Sequence, residues 1–235
     1  MKVSVIINCY NSEKFLRATI ESVLNQTYKN FELIIYDDAS SDNTKDIALS
    51  YGNKLIFYRT EIRYPLGKAR NEALKYATGE LITYLDHDDL LINDSLEKRV
   101  KVFKSNKKIA LVFSCANIIN ANEEIIGIMP EKKNWDKTQR FEDILKYYLI
   151  LWLTVMFCRD ILKEIGVFED IFMQIEELDL ILRIILKYDF HFLPEILACY
   201  RMHNDNLTKL NRKNDVLKEF EKTYLKLFLF KFGNL

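Results

Sequence analysis

Neither charge sign predominates in this sequence: 34 basic residues face 34 acidic ones in a chain of 235. The broad positive field of a protein that grips nucleic acid by its phosphates is therefore missing, and any anionic ligand must be met locally. The four cysteines, Cys9, Cys115, Cys158 and Cys199, form no CxxC pair. That removes the common thiolate metal and redox motifs and reads as buried small hydrophobes in a reducing cytoplasm. The opening MKVSVIINCY has an apolar run of only five residues, too short for a secretory leader. The longest apolar stretch, YYLILWLTVMFC at 147–158, falls short of the roughly 20 residues that span a bilayer, so no transmembrane helix is expected. Glycine is absent from VIINCYNS, which excludes a Gly-rich phosphate loop or a GxGxxG turn after the first apolar run.

What is present is alternation. Residues 3–7 form a short β-branched run, the turn-prone NCYNS follows, and Phe15, Leu16, Ile20, Val23 and Leu24 then recur at helical spacing. Asn11 or Ser12 is expected to cap that helix, since a short side-chain oxygen can accept a free first-turn amide. Further strands are predicted at FELIIY (31–36), KLIFYR (54–59), LITYL (81–85) and IALVFS (109–114), with helices over 44–51, 67–77 (closed by Gly79) and 94–104. Such alternation predicts an α/β fold with a mostly parallel central sheet flanked by helices on both faces.

Beyond residue 115 the pattern changes to a hairpin at NIINANEEIIGIM, a polar loop EKKNWDKTQR, helices over 142–150, 176–188 and 212–232, and short strands near 153–157 and 196–200. The expected organisation is a ligand-binding half (1–114), a smaller mixed region (115–210) and a C-terminal amphipathic helix (211–235). The length suits one large domain without a linker-joined pair.

In open α/β sheets, ligands bind beyond the carboxyl ends of the strands. Two acidic clusters fall there: Asp37 and Asp38 after the second strand, and Asp86, Asp88 and Asp89 after the fourth. Crowded carboxylates repel unless a cation or hydrogen-bond donors offset them. An Asp-x-Asp pair suits Mg²⁺ or Mn²⁺, which take their remaining oxygens from substrate phosphates. The plainer alternative makes Asp86 a turn residue and Asp89 a helix cap.

VSVIINCYN, SVLNQTYKNFELIIYDDASSDNT and GKARNEALKYATGELITYLDHDD together resemble the nucleotide-binding half of family 2 glycosyltransferases of the GT-A, Rossmann-like fold. IGVFED, EELDLILRI and YRMHNDNLT are similar to three later segments of that family, whereas 115–160 matches little. The resemblance implies that Tyr10 and Asp38 hold the nucleotide base with Asn8 nearby, and that Arg70 or Lys68 lies near the diphosphate. It implies that Asp86 faces the donor's ribose or sugar, that Asp86 and Asp88 serve the metal, and that His203 sits on the metal or the pyrophosphate. Asn8 stands where the family usually has proline.

Glu177 stands where the family commonly places an aspartate base, on an arm about 1.5 Å longer. Glu177 is preferred to Glu176 as general base, and the alternative is that both only favour the positive helix N-terminus. Asp179 and Arg183 are read as an i, i+4 ion pair.

The implied activity is inverting, metal-dependent transfer from a nucleotide sugar, commonly a UDP-sugar, to a glycan or lipid-linked glycan in surface polysaccharide synthesis. Two competing readings are a catalytically weak binding subunit and a phosphatase of the haloacid dehalogenase type. For the C-terminal helix, contact with an anionic membrane surface and packing on the domain or a second copy both remain open.

Overall fold

The computed structural model describes residues 1–130, 150–170, 175–204 and 206. The run VSVIINC forms β1 (Val3–Cys9), in which every residue except Asn8 is buried. A strand apolar on both faces must be covered on both. β1 pairs in parallel with β2 (Phe31–Asp38) and with β4 (Leu81–Tyr84), and β3 (Ile56–Thr60) extends the parallel set beyond β2.

Val3, Val5 and Ile7 pack against Leu16, Ile20 and Val23 of α1 (Leu16–Leu24) and against Leu96, Val100 and Phe103 of α4 (Ser95–Ser105). On the other face, Ile6, Ile34 and Tyr84 meet Ala69 and Ala73 of α3 (Leu66–Leu74) and Leu180, Ile181 and Ile184 of α6 (Glu176–Lys187). The short helices α2 (Thr44–Leu49) and α5 (Leu162–Ile165) lie between strands.

With β5 (Leu90–Leu91), β6 (Ile109–Asn120), β8 (Met156–Cys158) and β9 (Asp189–Met202), the strand order is β3-β2-β1-β4-β8-β6-β9-β5, and β7 (Ile125–Met129) pairs with β6. The expected hairpin at 117–129 is thus formed by β6 and β7. β6 and β9 run parallel. β8 and β5 join the sheet through antiparallel ladders of two residues each. The result is a mixed α/β fold around a mostly parallel sheet. Cys9, Cys115 and Cys199 are buried free thiols and Cys158 is half-buried. Among the described residues no helix is long and apolar enough to cross a membrane.

Four local expectations are corrected. α1 begins at Leu16 with no side-chain cap. Asn11 instead adopts φ 49° and its Oδ1 accepts the Ser41 amide at 2.9 Å, while Ser12 Oγ accepts the Tyr10 amide at 3.1 Å. These side chains stitch the β1–α1 loop internally and to the β2–α2 loop. α3 ends at Leu74, and Gly79 does not close it; a Cβ on Gly79 would stand 2.6 Å from the Ser4 amide nitrogen, so close backbone approach explains the glycine.

The strand near 153–157 is a 3₁₀ turn at Trp152–Thr154 followed by β8. The strand near 196–200 is part of a β9 of 14 residues. Pro194 hides that length: the register jumps from Ser114–Leu193 to Cys115–Ile196, so the residue without an amide hydrogen bulges out of the ladder. The expected helices over 142–150 and 212–232, and so the whole 211–235 region, lie outside the described residues except for residue 150.

Candidate active site

The parallel strands β1, β2 and β4 present their carboxyl ends on one side. Asp37 and Asp38 end β2 with different fates. Asp37 is internal: Arg59 Nη1 lies 2.8 Å from Oδ2, and Oδ1 accepts the Ser40 amide at 3.0 Å. Both oxygens of Asp38 accept the Tyr64 amide at 3.1 Å. Burial raises the Asp38 carboxyl above its ordinary range, against the pull of the Tyr64 amide and Arg63, with Asp37 adding to the rise.

Around Asp38, the Arg63 guanidinium covers the Tyr10 ring at 3.6 Å and Lys68 Nζ lies 4.1 Å from the Tyr64 ring centre. Tyr10 stands at the rim, 36% exposed. Asn8 is registered with Tyr36 of β2. Its carboxamide nitrogen and oxygen are both buried, and neither has a hydrogen-bond partner among the described residues.

A second group forms around Arg70 of α3, whose residue is 3% exposed. Arg70 Nη1 lies 2.8 Å from Glu176 Oε1 and 3.4 Å from Glu177 Oε2, and Nη2 lies 3.2 Å from Asp86 Oδ1. Desolvation alone would weaken this cation, but Glu176, Asp86 and Glu177 together raise its pKa above the ordinary arginine value. Tyr84, Trp152 and Phe168 surround the guanidinium with ring centres at 5.8, 5.3 and 5.8 Å.

The Trp152 segment is itself held by the fully buried Arg99, which donates to Thr83 Oγ1 at 3.0 Å and to the Thr154 and Val155 carbonyls at 3.4 Å. Burial lowers the Arg99 guanidinium to about 9. Glu176 is fully buried, and burial followed by the charge of Glu177 pushes its carboxyl well above the usual range despite Arg70. The Glu177 side chain is 15% exposed and that of Asp86 is 42% exposed. Desolvation raises the Asp86 carboxyl, and Asp88 and Glu177 add to the rise while Arg70 opposes it.

The third group joins the fourth-strand loop to β9. His203 Nε2 lies 2.8 Å from Asp88 Oδ2, and Asn206 Nδ2 donates to the same oxygen at 3.4 Å. Buried Arg201 donates from Nε to the Asp88 carbonyl at 2.7 Å, and its amide donates to Asp89 Oδ1 at 2.8 Å. Asp89 Oδ1 is therefore taken by the β9 main chain, and Asp94, not Asp89, stands at the start of α4. Burial, then Asp88 and Asp86, push the Asp89 carboxyl well above the usual range.

His87 between the acids accepts the Thr19 hydroxyl at its carbonyl, 2.8 Å away. Asp179 and Arg183 form the expected pair at 2.6 Å. Arg201 and Asn206 are the residues the sequence reading passed over, although both stand inside YRMHNDNLT.

Asp88 and His203 offer a carboxylate oxygen and an imidazole nitrogen from one place, a donor set that suits Mn²⁺ or Mg²⁺ if substrate oxygens complete it. Asp86 is turned onto Arg70. Among the described residues no group of three or more His, Cys, Asp or Glu side chains is placed to hold a metal by itself. A concave space of about 440 Å³ opens beyond His203, between Lys14, Asn120, Asn122 and Met202, and does not reach Asp86 or Glu177.

Carboxylates and cations thus gather beyond the ends of the parallel strands, and the acidic start of α6 meets Asp86 on one guanidinium, in a fold of the GT-A class, as solved structures of that class superpose on it. The chain belongs to glycosyl transferase family 2, whose profile matches residues 4–166. It is 35% identical over 229 residues to the UDP-Glc:alpha-D-GlcNAc-diphosphoundecaprenol beta-1,3-glucosyltransferase WfgD of Escherichia coli, covering 93% of this chain and 86% of that one. It is 30% identical to an uncharacterised glycosyltransferase of Rickettsia typhi, over 93% of this chain and 69% of that one.

Among solved structures, S. aureus TarS 1-349 in complex with UDP-GlcNAc superposes with a TM-score of 0.74 at 21% identity, over 90% of this chain and 62% of that one. A Pyrobaculum calidifontis mannosyltransferase in complex with GDP-Man and Mn²⁺ superposes with a TM-score of 0.64 at 18% identity, over 88% and 59%. The chain thus spans less than two thirds of either solved chain, and at these identities the likeness establishes the fold.

Proposed function

We propose that this glycosyltransferase moves a sugar, with inversion, from a nucleoside diphosphate donor to a hydroxyl of a glycan or lipid-linked glycan. One observation carries the reading: Asp86 after β4 and Glu177 on α6 come within 3.2 and 3.4 Å of one guanidinium. A donor-facing carboxylate and a base are thereby held on one cation. Glu177 is the base because its side chain is 15% exposed, whereas Glu176 is sealed from any acceptor.

Glu177 takes the proton of the acceptor hydroxyl, that oxygen bonds to the anomeric carbon from one face, and the bond to the diphosphate oxygen breaks on the other. The nucleoside diphosphate leaves with the electron pair, and the sugar carbon passes through oxocarbenium character. Tyr10, Asp38, Asn8 and Lys68 line the nucleotide end. Asp88 and His203 would hold Mn²⁺ or Mg²⁺, which would supply positive charge to offset the charge of the leaving diphosphate.

A UDP-sugar donor and a lipid-diphosphate-linked acceptor, as in surface polysaccharide synthesis, are supported by likeness to the E. coli glucosyltransferase, whose name carries both. The GDP-Man complex of the mannosyltransferase supports the same fold accepting another base. A thermal-shift screen of nucleotide sugars with Mn²⁺, followed by transfer to a GlcNAc-diphospholipid, tests the reading. A donor that raises the melting temperature and is turned over is expected. Binding without turnover on any acceptor would favour a binding subunit, and no binding at all would overturn the proposal.

A further inference from the structure

Arg70 is the residue expected near the diphosphate, yet its surroundings are those of an internal strut. Its residue is 3% exposed. Three carboxylates from two separate stretches of chain converge on it, at 2.8, 3.2 and 3.4 Å. Three aromatic rings close the remaining sides within 5.8 Å, and the Tyr84 hydroxyl donates to its main-chain carbonyl at 3.0 Å. A diphosphate reaching this guanidinium would have to displace Asp86 or Glu177 and would meet the charge of whichever stayed.

Glu176 anchors the strut: it is fully buried, with Oε1 2.8 Å from Arg70 Nη1. Glu176 sits in the first turn of α6 beside Glu177. Fixing Glu176 on Arg70 therefore fixes where α6 begins and where Glu177 stands. A guanidinium can span several carboxylates as a planar fork, and a lysine, a single point charge, cannot.

Resting on the function proposed above, we infer that Arg70 is a positioning residue: anchored by Glu176, it sets the donor-side Asp86 and the base Glu177 at a fixed separation without touching the diphosphate. The reaction then depends on Arg70 through geometry. Donor affinity depends on it only through Asp86, so the share contributed by the second phosphate is independent of it.

The test compares the affinities of UDP and UMP, each with Mn²⁺, for the unaltered protein, Arg70→Lys and Arg70→Gln by calorimetry, with UDP release from UDP-glucose and UDP-GlcNAc as turnover. GDP and GMP replace the uridine pair if the unaltered protein prefers them. The expected result is a diphosphate-to-monophosphate affinity ratio within about twofold of the unaltered protein in both variants, while kcat falls on the order of 100-fold, the scale at which misplaced reacting groups act. Arg70→Lys should recover little of that loss.

A tenfold fall in the affinity ratio would assign Arg70 to the diphosphate and overturn the inference, as would full turnover in Arg70→Lys. If Arg70→Gln does not fold, Arg70→Lys carries the same comparison. Should the unaltered protein bind neither nucleotide pair, the proposed function fails first; if it binds and turns over donor, the variants judge Arg70 alone.

Discussion

Replacing Glu177 with glutamine is the most direct test of the base. The substitution keeps the length and shape of the side chain, so the new carboxamide can still place an oxygen toward Arg70 Nη1, which lies 3.4 Å from Glu177 Oε2. What disappears is one negative charge and the capacity to take a proton. General-base contributions run to about 100- to 10,000-fold in rate, on the order of 3–5 kcal/mol of barrier at about 1.4 kcal/mol per decade.

Because the carboxamide is neutral, one of the charges that raises the Asp86 carboxyl is also gone. Donor binding should hold within about threefold and should persist to lower pH, since Asp86 then stays ionised further into acid. Glu177→Asp keeps the chemistry but draws the carboxylate back by about 1.5 Å, so its loss should be smaller than that of the glutamine variant. The assay is nucleoside diphosphate release with acceptor present, set beside donor calorimetry on the same preparations. Transfer by Glu177→Gln within a few-fold of the unaltered enzyme would falsify the assignment, and loss of donor binding in step with turnover would move Glu177 into the donor site.

Asp88→Asn should weaken Mn²⁺-dependent donor binding by about tenfold or more, and calorimetry showing tight, metal-independent binding would remove the metal role. Asn8→Ala removes two buried polar atoms that lack protein partners among the described residues, so thermal stability should hold or rise by up to about 1 kcal/mol. Nucleotide affinity should nevertheless drop several-fold, and an unchanged affinity would show that Asn8 meets no ligand. Arg201→Met strips the Asp88 carbonyl of its donor and Glu123 of its ion pair. It should cost about 2–4 kcal/mol in urea denaturation and weaken Mn²⁺ binding, whereas a variant unchanged in both would deny Arg201 its role in holding the loop.

Glu32 supplies the pH test. Desolvation would raise its carboxyl, but Lys2, Ser4 and Thr78 bring it down to about 2. The folded value lies below the unfolded one, so the stabilisation is complete above about pH 4.5 and fades as pH falls toward 2. After allowance for screening at Lys2, whose side chain is 39% exposed, about 1–2 kcal/mol is expected. Glu32→Gln should be less stable at pH 7 and converge on the unaltered protein in acid, and a gap that stays constant with pH would refute the linkage.

The parts of the fold that were legible are those coded by neighbours in sequence. β1, β2 and β4 are short apolar runs buried on both faces, and a local window is enough to see them. The acidic strand ends were visible for the same reason. The groupings at those ends were not. Arg70 meets Asp86 across 16 positions and Glu177 across 107, and Arg201 reaches the Asp88 carbonyl across 113. Charge pairing over such separations leaves no periodicity behind. Both arginines stood within the family-like segments, but a motif names a residue without saying which way its side chain turns. β9 was shortened in the reading by Pro194, which marks a strand end when only local rules apply and a bulge once β6 lies alongside.

The three carboxylates of LDHDDLL can now be separated by what neutralises each. Asp86 has Arg70, and Asp89 has the amide of Arg201. The protein's own donors thus offset part of the crowding at this strand end, while burial and the neighbouring carboxylates still raise the Asp86 and Asp89 carboxyls. Asp88 differs: its described side-chain partners are the His203 ring and the Asn206 amide, with the Arg201 guanidinium directed to its carbonyl. An imidazole can exchange a hydrogen bond to a carboxylate for a shared cation, whereas an arginine in the same place would repel one. Under the proposed function, a divalent ion would fall to Asp88 and His203, which bring a carboxylate oxygen and an imidazole nitrogen to one place. A metal there would leave Asp86 free to act as the donor-side carboxylate that Arg70 holds opposite Glu177.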